Sequence, residues 1–211
     1  MNTRLHIGLT TATPGWQLLL DQIGVDWSVC TTNDLSPERY SAVIVSSRLS
    51  SANRAAVLDY TRLGGALIDC ANILSRPTNR AYTRTLFPEP SDPLFGDIPL
   101  IDIYGIISTD RRSPLLHGLV SIEEQGTGIA ARLGLNIDRL MTDTRSRRKQ
   151  FYAPSGMFPN ETVALVSKGT VRILLTRLLK EVHFRRGLPF VHRRFFPVDM
   201  PNVFCFRIDS D

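Results

Sequence analysis

The chain has 211 residues, is 43% apolar and 21% charged, and carries a formal net charge of +5 with a pI of about 9.4. That composition excludes a low-complexity or fibrous chain, and the length allows one large domain or one domain with part of another. No apolar run is long enough to cross a bilayer.

The N-terminus, MNTRLHIGLT, has an apolar stretch too short for a secretory signal and runs directly into a strand-like segment, so the expected location is cytoplasmic. Cys30, Cys70 and Cys205 lie in or beside apolar runs. An odd count at such positions points to buried thiols in a reducing compartment, not to a disulfide framework. The cationic excess is arginine: Arg111-Arg112, Arg145 with Arg147-Arg148-Lys149, Arg185-Arg186 and Arg193-Arg194. Guanidinium forks match carboxylates and phosphates, so an anionic partner is one reading, and solvated loops are the other. There is no zinc-finger spacing, RNA-binding aromatic motif or helix-turn-helix pattern, so nucleic acid is not an expected partner.

Residues 4–10 read as a first strand, and Thr13-Pro14-Gly15 opens a helix that Gly24 ends. Residues 25–30 alternate as a second strand. The run Ala42-Val43-Ile44-Val45-Ser46-Ser47 is apolar throughout, the pattern of a strand buried on both faces. Ser50 or Ser51 caps a helix over 52–63, Gly64-Gly65 stops it, and residues 66–70 form another buried strand. This βαβ series predicts a parallel sheet covered by helices.

Over 75–98 the prolines predict a long irregular insertion with short helical pieces. Residues 99–108 read as a strand, and residues 120–133 as two strands turning at Gly126-Thr127-Gly128. Residues 145–150 read as a basic linker. Residues 163–183 carry the longest helical stripe, through Val171, Leu174, Leu175, Leu178, Leu179 and Val182.

Four features bear on chemistry. Cys70 ends a buried strand, the place of a nucleophile elbow. Gly126-Thr127-Gly128 reads as a tight turn, because it lacks the further glycine and helix start of a phosphate cradle. His6, His117, His183 and His192 are scattered without metal-pair spacing. Asp209 and Asp211, two apart after the strand-like run 202–208, would point the same way in a strand. One carboxylate would then hold a divalent metal while the other takes a proton from its water.

Two resemblances organise these features. The order of residues 42–47, Gly64-Gly65 and the Cys70 strand resembles class I glutamine amidotransferases, which implies a flavodoxin-like three-layer α/β sandwich with a mainly parallel sheet. The glycines that flank the family's nucleophile are replaced by Ile68 and Asn72. The family's His-x-Glu pair is absent; Glu181 and His183 stand in the reverse order. The tail, GLPFVHRRFFPVDMPNVFCFRIDSD, resembles the entry to a NodB-type polysaccharide deacetylase domain of carbohydrate esterase family 4. That resemblance makes Asp209 the general base and Asp211 a ligand to a divalent metal, commonly zinc, whose histidine ligands would lie beyond residue 211. It divides the chain into an amidotransferase-like domain over 1–185 and a linker with the first deacetylase strand over 186–211.

The leading expectation is a non-catalytic accessory domain of a metal-dependent polysaccharide deacetylase. It would orient the missing C-terminal catalytic domain or bind an anionic glycan, and residues 1–211 alone would hold no cofactor. The alternatives are a thiol-dependent hydrolase or amidotransferase-like enzyme using Cys70, and an interaction scaffold built on the arginine clusters.

Overall fold

The structure, a computed structural model, describes residues 4–74, 77–110, 113–153 and 156–193. Its centre is a six-stranded sheet in the order β2-β1-β3-β4-β8-β7. The strands are β1 (Ile7–Leu9), β2 (Trp27–Val29), β3 (Ala42–Val45), β4 (Ala66–Asp69), β7 (Val120–Gln125) and β8 (Gly128–Leu133). All neighbours are parallel except β7, which turns back antiparallel along β8 at one edge. The chain is thus a mixed α/β protein with a mainly parallel sheet, as its βαβ pattern predicts.

Alternate strand residues face opposite layers. Ile7, Leu9, Ala42, Ile44, Ala66, Ile68, Ile129, Ala131 and Leu133 share the main core. That face is covered by α1 (Pro14–Ile23), α3 (Ile137–Met141) and α4 (Lys168–Arg185). Trp16, Leu19, Leu20 and Ile23 form the buried stripe of α1, at the spacing a one-sided helix needs. The opposite face carries Val43, Val45 and Leu67, which pack with Val57 and Tyr60 of α2 (Ser51–Arg62). Helix α2 starts on Ser50, whose hydroxyl accepts from the Asn53 amide at 3.3 Å. Thr13 precedes α1 without a capping bond, and Pro14 sets the first turn.

Three expectations change. The stretch 75–98 contains a strand, β5 (Asn79–Leu86), paired antiparallel with β6 (Ile101–Thr109). The pairing was invisible because β5 is almost wholly exposed, while β6 buries Ile101, Ile103 and Ile107 in the main core. The basic stretch 145–150 is no linker: it begins β9 (Ser146–Ala153), which pairs with β10 (Gly156–Ala164). The long helix therefore starts at Lys168 rather than at 163.

The linker expected from residue 186 begins by packing on the α/β unit. Arg186 donates to the carbonyls of Tyr40, Ser41 and Pro37. Phe190 packs against the main core, and the Arg193 amide donates to the Gly24 carbonyl at 2.7 Å.

Candidate functional site

In open parallel sheets the crevice at the carboxyl ends of the strands collects the loops that bind ligands. Here that edge holds a cavity of about 230 Å³, whose lining includes Ser46, Cys70, Asn72, Arg80, Ser108 and Arg139. Ser46 follows β3, Cys70 and Asn72 follow β4, and Arg139 follows β8 on α3. The hairpin supplies Arg80 from β5 and Ser108 from β6.

The loop after β4 is built by Asp69. This residue is 0% exposed, and its carboxylate accepts from the amides of Ala71 at 3.0 Å and Leu74 at 2.9 Å. The tight wrap puts Asn72 at φ 58, a left-handed conformation that costs a side-chain-bearing residue energy. The Asn72 amide oxygen is enclosed and has no hydrogen-bond partner. On the β3 side, the Thr11 and Ser47 hydroxyls meet at 2.7 Å and the Ser46 hydroxyl donates to the Thr11 carbonyl at 2.8 Å, fixing that lip.

Cys70 does line the cavity, but not on an elbow. After β4 comes the Asp69-held loop and then β5, not a helix. The residue keeps some surface, yet burial pushes its thiol pKa well above the ordinary value, and the neighbouring Asp69 charge adds to the rise. A thiolate nucleophile needs the opposite environment. Glu181 and His183 supply no base: Glu181 accepts from Arg185 at 2.7 Å, and His183 is on the buried face of α4. The His183 Nδ1–H donates to the Leu179 carbonyl at 2.6 Å, and its Nε2 accepts from the Ser41 hydroxyl at 2.9 Å. Burial holds its pKa below the usual histidine value.

The remaining histidines are dispersed. His6 Nδ1–H donates to Asp26 at 2.7 Å, and its Nε2 meets the Ser28 hydroxyl at 2.8 Å. That order has the polarity of a hydrolase relay. Ser28, however, sits inside strand β2 at the amino-terminal side of the sheet, not on a presenting turn. His117 meets the Phe87 carbonyl at 2.8 Å, and His192 lies by Phe190. Among the described residues no three His, Cys, Asp or Glu side chains are grouped to hold a metal. Asp209, Asp211 and Cys205 lie outside the described residues.

Gly126-Thr127-Gly128 is the β7–β8 turn. Gly126 has φ 67, and a Cβ on Gly128 would collide with the carbonyl oxygens of Thr61 and Gly65. Both glycines are thus explained by backbone packing.

The arginine clusters divide. Arg145 pairs with Asp143 at 2.7 Å and holds that carboxyl below its usual range, while Arg186 is committed to three carbonyls. Neither cluster lines the cavity. The arginines that do, Arg80 and Arg139, stand alone in sequence and carry no motif. Arg132, 1% exposed, donates to the carbonyls of Ser108 at 3.2 Å and Gly118 at 2.7 Å, which ties β8 to the β6 end and to the turn before β7.

No protein-family model matches the chain, and no curated protein matches it. Among solved structures, it is similar to the β-galactosidase from Bacillus circulans sp. alkalophilus at 8% identity and TM-score 0.48, covering 88% of this chain and 31% of that one. It is also similar to the cytoplasmic protein STM3548 from Salmonella typhimurium, at 9% identity and TM-score 0.47, covering 85% and 99%. A third is the exo-β-1,4-mannosidase from Opitutaceae bacterium strain TAV5, at 11% identity and TM-score 0.44, covering 65% and 32%. The chain spans about a third of the length of these two glycosidases. At this distance the likenesses assign neither family nor activity. No helix among the described residues is long and apolar enough to cross a membrane.

Proposed function

We propose that this chain is a non-catalytic α/β accessory domain, flavodoxin-like and of the class I glutamine amidotransferase-like type, preceding a metal-dependent polysaccharide deacetylase domain. The observation that carries the non-catalytic half is Cys70: a desolvated thiol on a loop that leads into a strand, with Asp69 raising its pKa further. The deacetylase half rests on the tail Arg207-Ile208-Asp209-Ser210-Asp211. There Asp209 takes the role of general base and Asp211 that of a ligand to zinc or a similar divalent ion. The ion would polarise its water and the substrate carbonyl.

The gene downstream of Asp211 tests this directly. A His-x-x-x-His pair within about a hundred residues is expected, because two carboxylates without histidines make an incomplete site; its absence removes the deacetylase reading. Calorimetric titration of residues 1–211 with zinc should give weak binding or none, and a tight one-to-one site would contradict the reading.

The second reading is a thiol-dependent hydrolase or amidotransferase-like enzyme, favoured by the position of Cys70 on the carboxyl edge of the sheet. Iodoacetamide decides it. Fast, selective modification of native Cys70 at neutral pH supports the enzyme; modification only after denaturation supports the accessory domain.

A further inference from the structure

We infer that the carboxyl-edge cavity is a binding site for a small anionic sugar, a sugar acid or sugar phosphate, held by Arg80, Arg139 and the amide of Asn72. This rests on the accessory-domain reading above and gives it a ligand, in line with the anionic glycan expected from the sequence. It does not depend on whether a deacetylase domain follows Asp211.

The argument starts from charge. The cavity is lined by two arginines and no aspartate or glutamate. Among the described residues, neither guanidinium has a partner. Other surface arginines divide: Arg62, Arg177 and Arg185 pair with Asp59, Asp97 and Glu181, whereas Arg48, Arg54, Arg84 and Arg172 are exposed with no partner among the described residues. What sets Arg80 and Arg139 apart is that they line one cavity that has no acidic residue. Two unpaired guanidinium forks facing one cavity are a donor set for a carboxylate or phosphate.

Asn72 adds a second, independent observation. It is held in a left-handed conformation, and the oxygen of its amide is enclosed without a donor. Its amide nitrogen makes no hydrogen bond and is not among the enclosed unpartnered atoms, so this end of the amide opens outward. The enclosed oxygen is an acceptor that an anion cannot satisfy, so the outward amide nitrogen, a donor, is the part of Asn72 that bears on the ligand. The donors from Asn72, Arg80 and Arg139 want an acceptor-rich, negatively charged ligand.

Size and the remaining lining set the class. About 230 Å³ exceeds what a bare carboxylate or phosphate needs, since one water occupies roughly 30 Å³. It falls below the roughly 300 Å³ at which pockets take drug-sized ligands. A single ring fits that range. Ser46 and Ser108 line the same space, and a serine hydroxyl offers acceptor lone pairs to ligand hydroxyls.

The test is calorimetric titration of the purified chain with D-glucuronate, D-glucose 6-phosphate, D-glucose, acetate and inorganic phosphate. At least one charged sugar should bind one-to-one and at least about tenfold more tightly than glucose or either bare anion. Glucuronate alone would assign a carboxylate ligand, and glucose 6-phosphate alone a phosphate ligand. Arg80→Gln and Arg139→Gln should each weaken binding about tenfold, the size of one charge-assisted hydrogen bond. Both sit on exposed positions, so circular dichroism should be unchanged. Glu124→Gln, which lines a different cleft, should leave affinity unaltered. Equal binding of acetate or phosphate would overturn the sugar assignment. No binding, or binding indifferent to both arginine variants, would overturn the site. Neither result bears on the Asp209–Asp211 motif, whose test is the downstream sequence.

Discussion

The two ends of the parallel sheet handle polar groups in opposite ways. At the amino-terminal end, His6 joins Asp26 and Ser28, Ser41 joins His183, and Arg186 binds three carbonyls. These groups are answered by others from the same chain, although the enclosed Gln125 side-chain oxygen, beside the start of β8, is not. At the carboxyl end, Arg80 and Arg139 face a cavity with no counter-charge, and Asn72 keeps an unanswered amide. Buried polar groups are normally satisfied. The difference therefore lies in Arg80 and Arg139, which are left open to something outside the fold, while Asp69, Ser46 and Arg132 at the same end hold it. The hydrolase-like order Asp26–His6–Ser28 belongs with the groups that hold the fold, although its residue types alone would suggest otherwise.

The division is tested most strongly by Arg186→Ala. It leaves the carbonyls of Pro37, Tyr40 and Ser41 without their cationic donor. The expected cost is on the order of 2 kcal/mol in urea unfolding, the usual range for losing hydrogen bonds from a charged donor. An unchanged midpoint would mean that this end is less self-contained than its contacts imply.

The next largest effect is pH-dependent. Burial lowers the pKa of His183 in the fold. In the unfolded chain it protonates near pH 6.5. Below that pH the unfolded state binds the extra proton, so stability is fully present above pH 6.5 and declines as pH falls toward the folded pKa. The limiting slope is one proton, about 1.4 kcal/mol per pH unit. His183→Gln removes that slope, while His6, His117 and His192 remain in both proteins. Parallel stability curves between pH 8 and pH 5 would show that His183 is not the group responsible.

The sheet was legible because buried parallel strands and their helices leave dense local signals. The runs at 42–45 and 66–69 are apolar on both faces, and Pro14, Gly24 and Ser50 mark helix ends. The two hairpins were not legible. Strand β5 is exposed and lies between prolines, and β9 opens with Arg147, Arg148 and Lys149, so neither shows the alternation that marks a half-buried strand. Of the cavity, only Cys70 was visible, from its place after a buried strand. Asn72 appeared merely as a residue standing where a related family has glycine. Its left-handed backbone depends on the Asp69 carboxylate reaching forward to Leu74. Arg80 and Arg139 come from separate elements and meet only when the hairpin folds over the sheet edge. Of the conspicuous arginine clusters, Arg186 is used within the fold, and Arg147 and Arg148 lie on the β9–β10 hairpin.

The smallest stability effects belong to the cavity, and their sign is the sharper test. Asn72→Gly removes a side chain from a left-handed position and removes the enclosed, unpartnered oxygen. Glycine also loosens the unfolded chain, which costs up to about 1 kcal/mol. Relief of the backbone strain and of the unsatisfied atom each returns a similar amount. Thermal unfolding should therefore show Asn72→Gly equal to the parent or more stable by up to about 1 kcal/mol. Arg80→Ala and Arg139→Ala should lie within about 0.5 kcal/mol of the parent, as surface changes without partners do. A ligand-binding residue improves or preserves stability when removed, whereas a structural one does not. If Asn72→Gly instead destabilised the chain by about 2 kcal/mol, the Asn72 amide would be bonding within the fold, and the two ends of the sheet would no longer differ in kind.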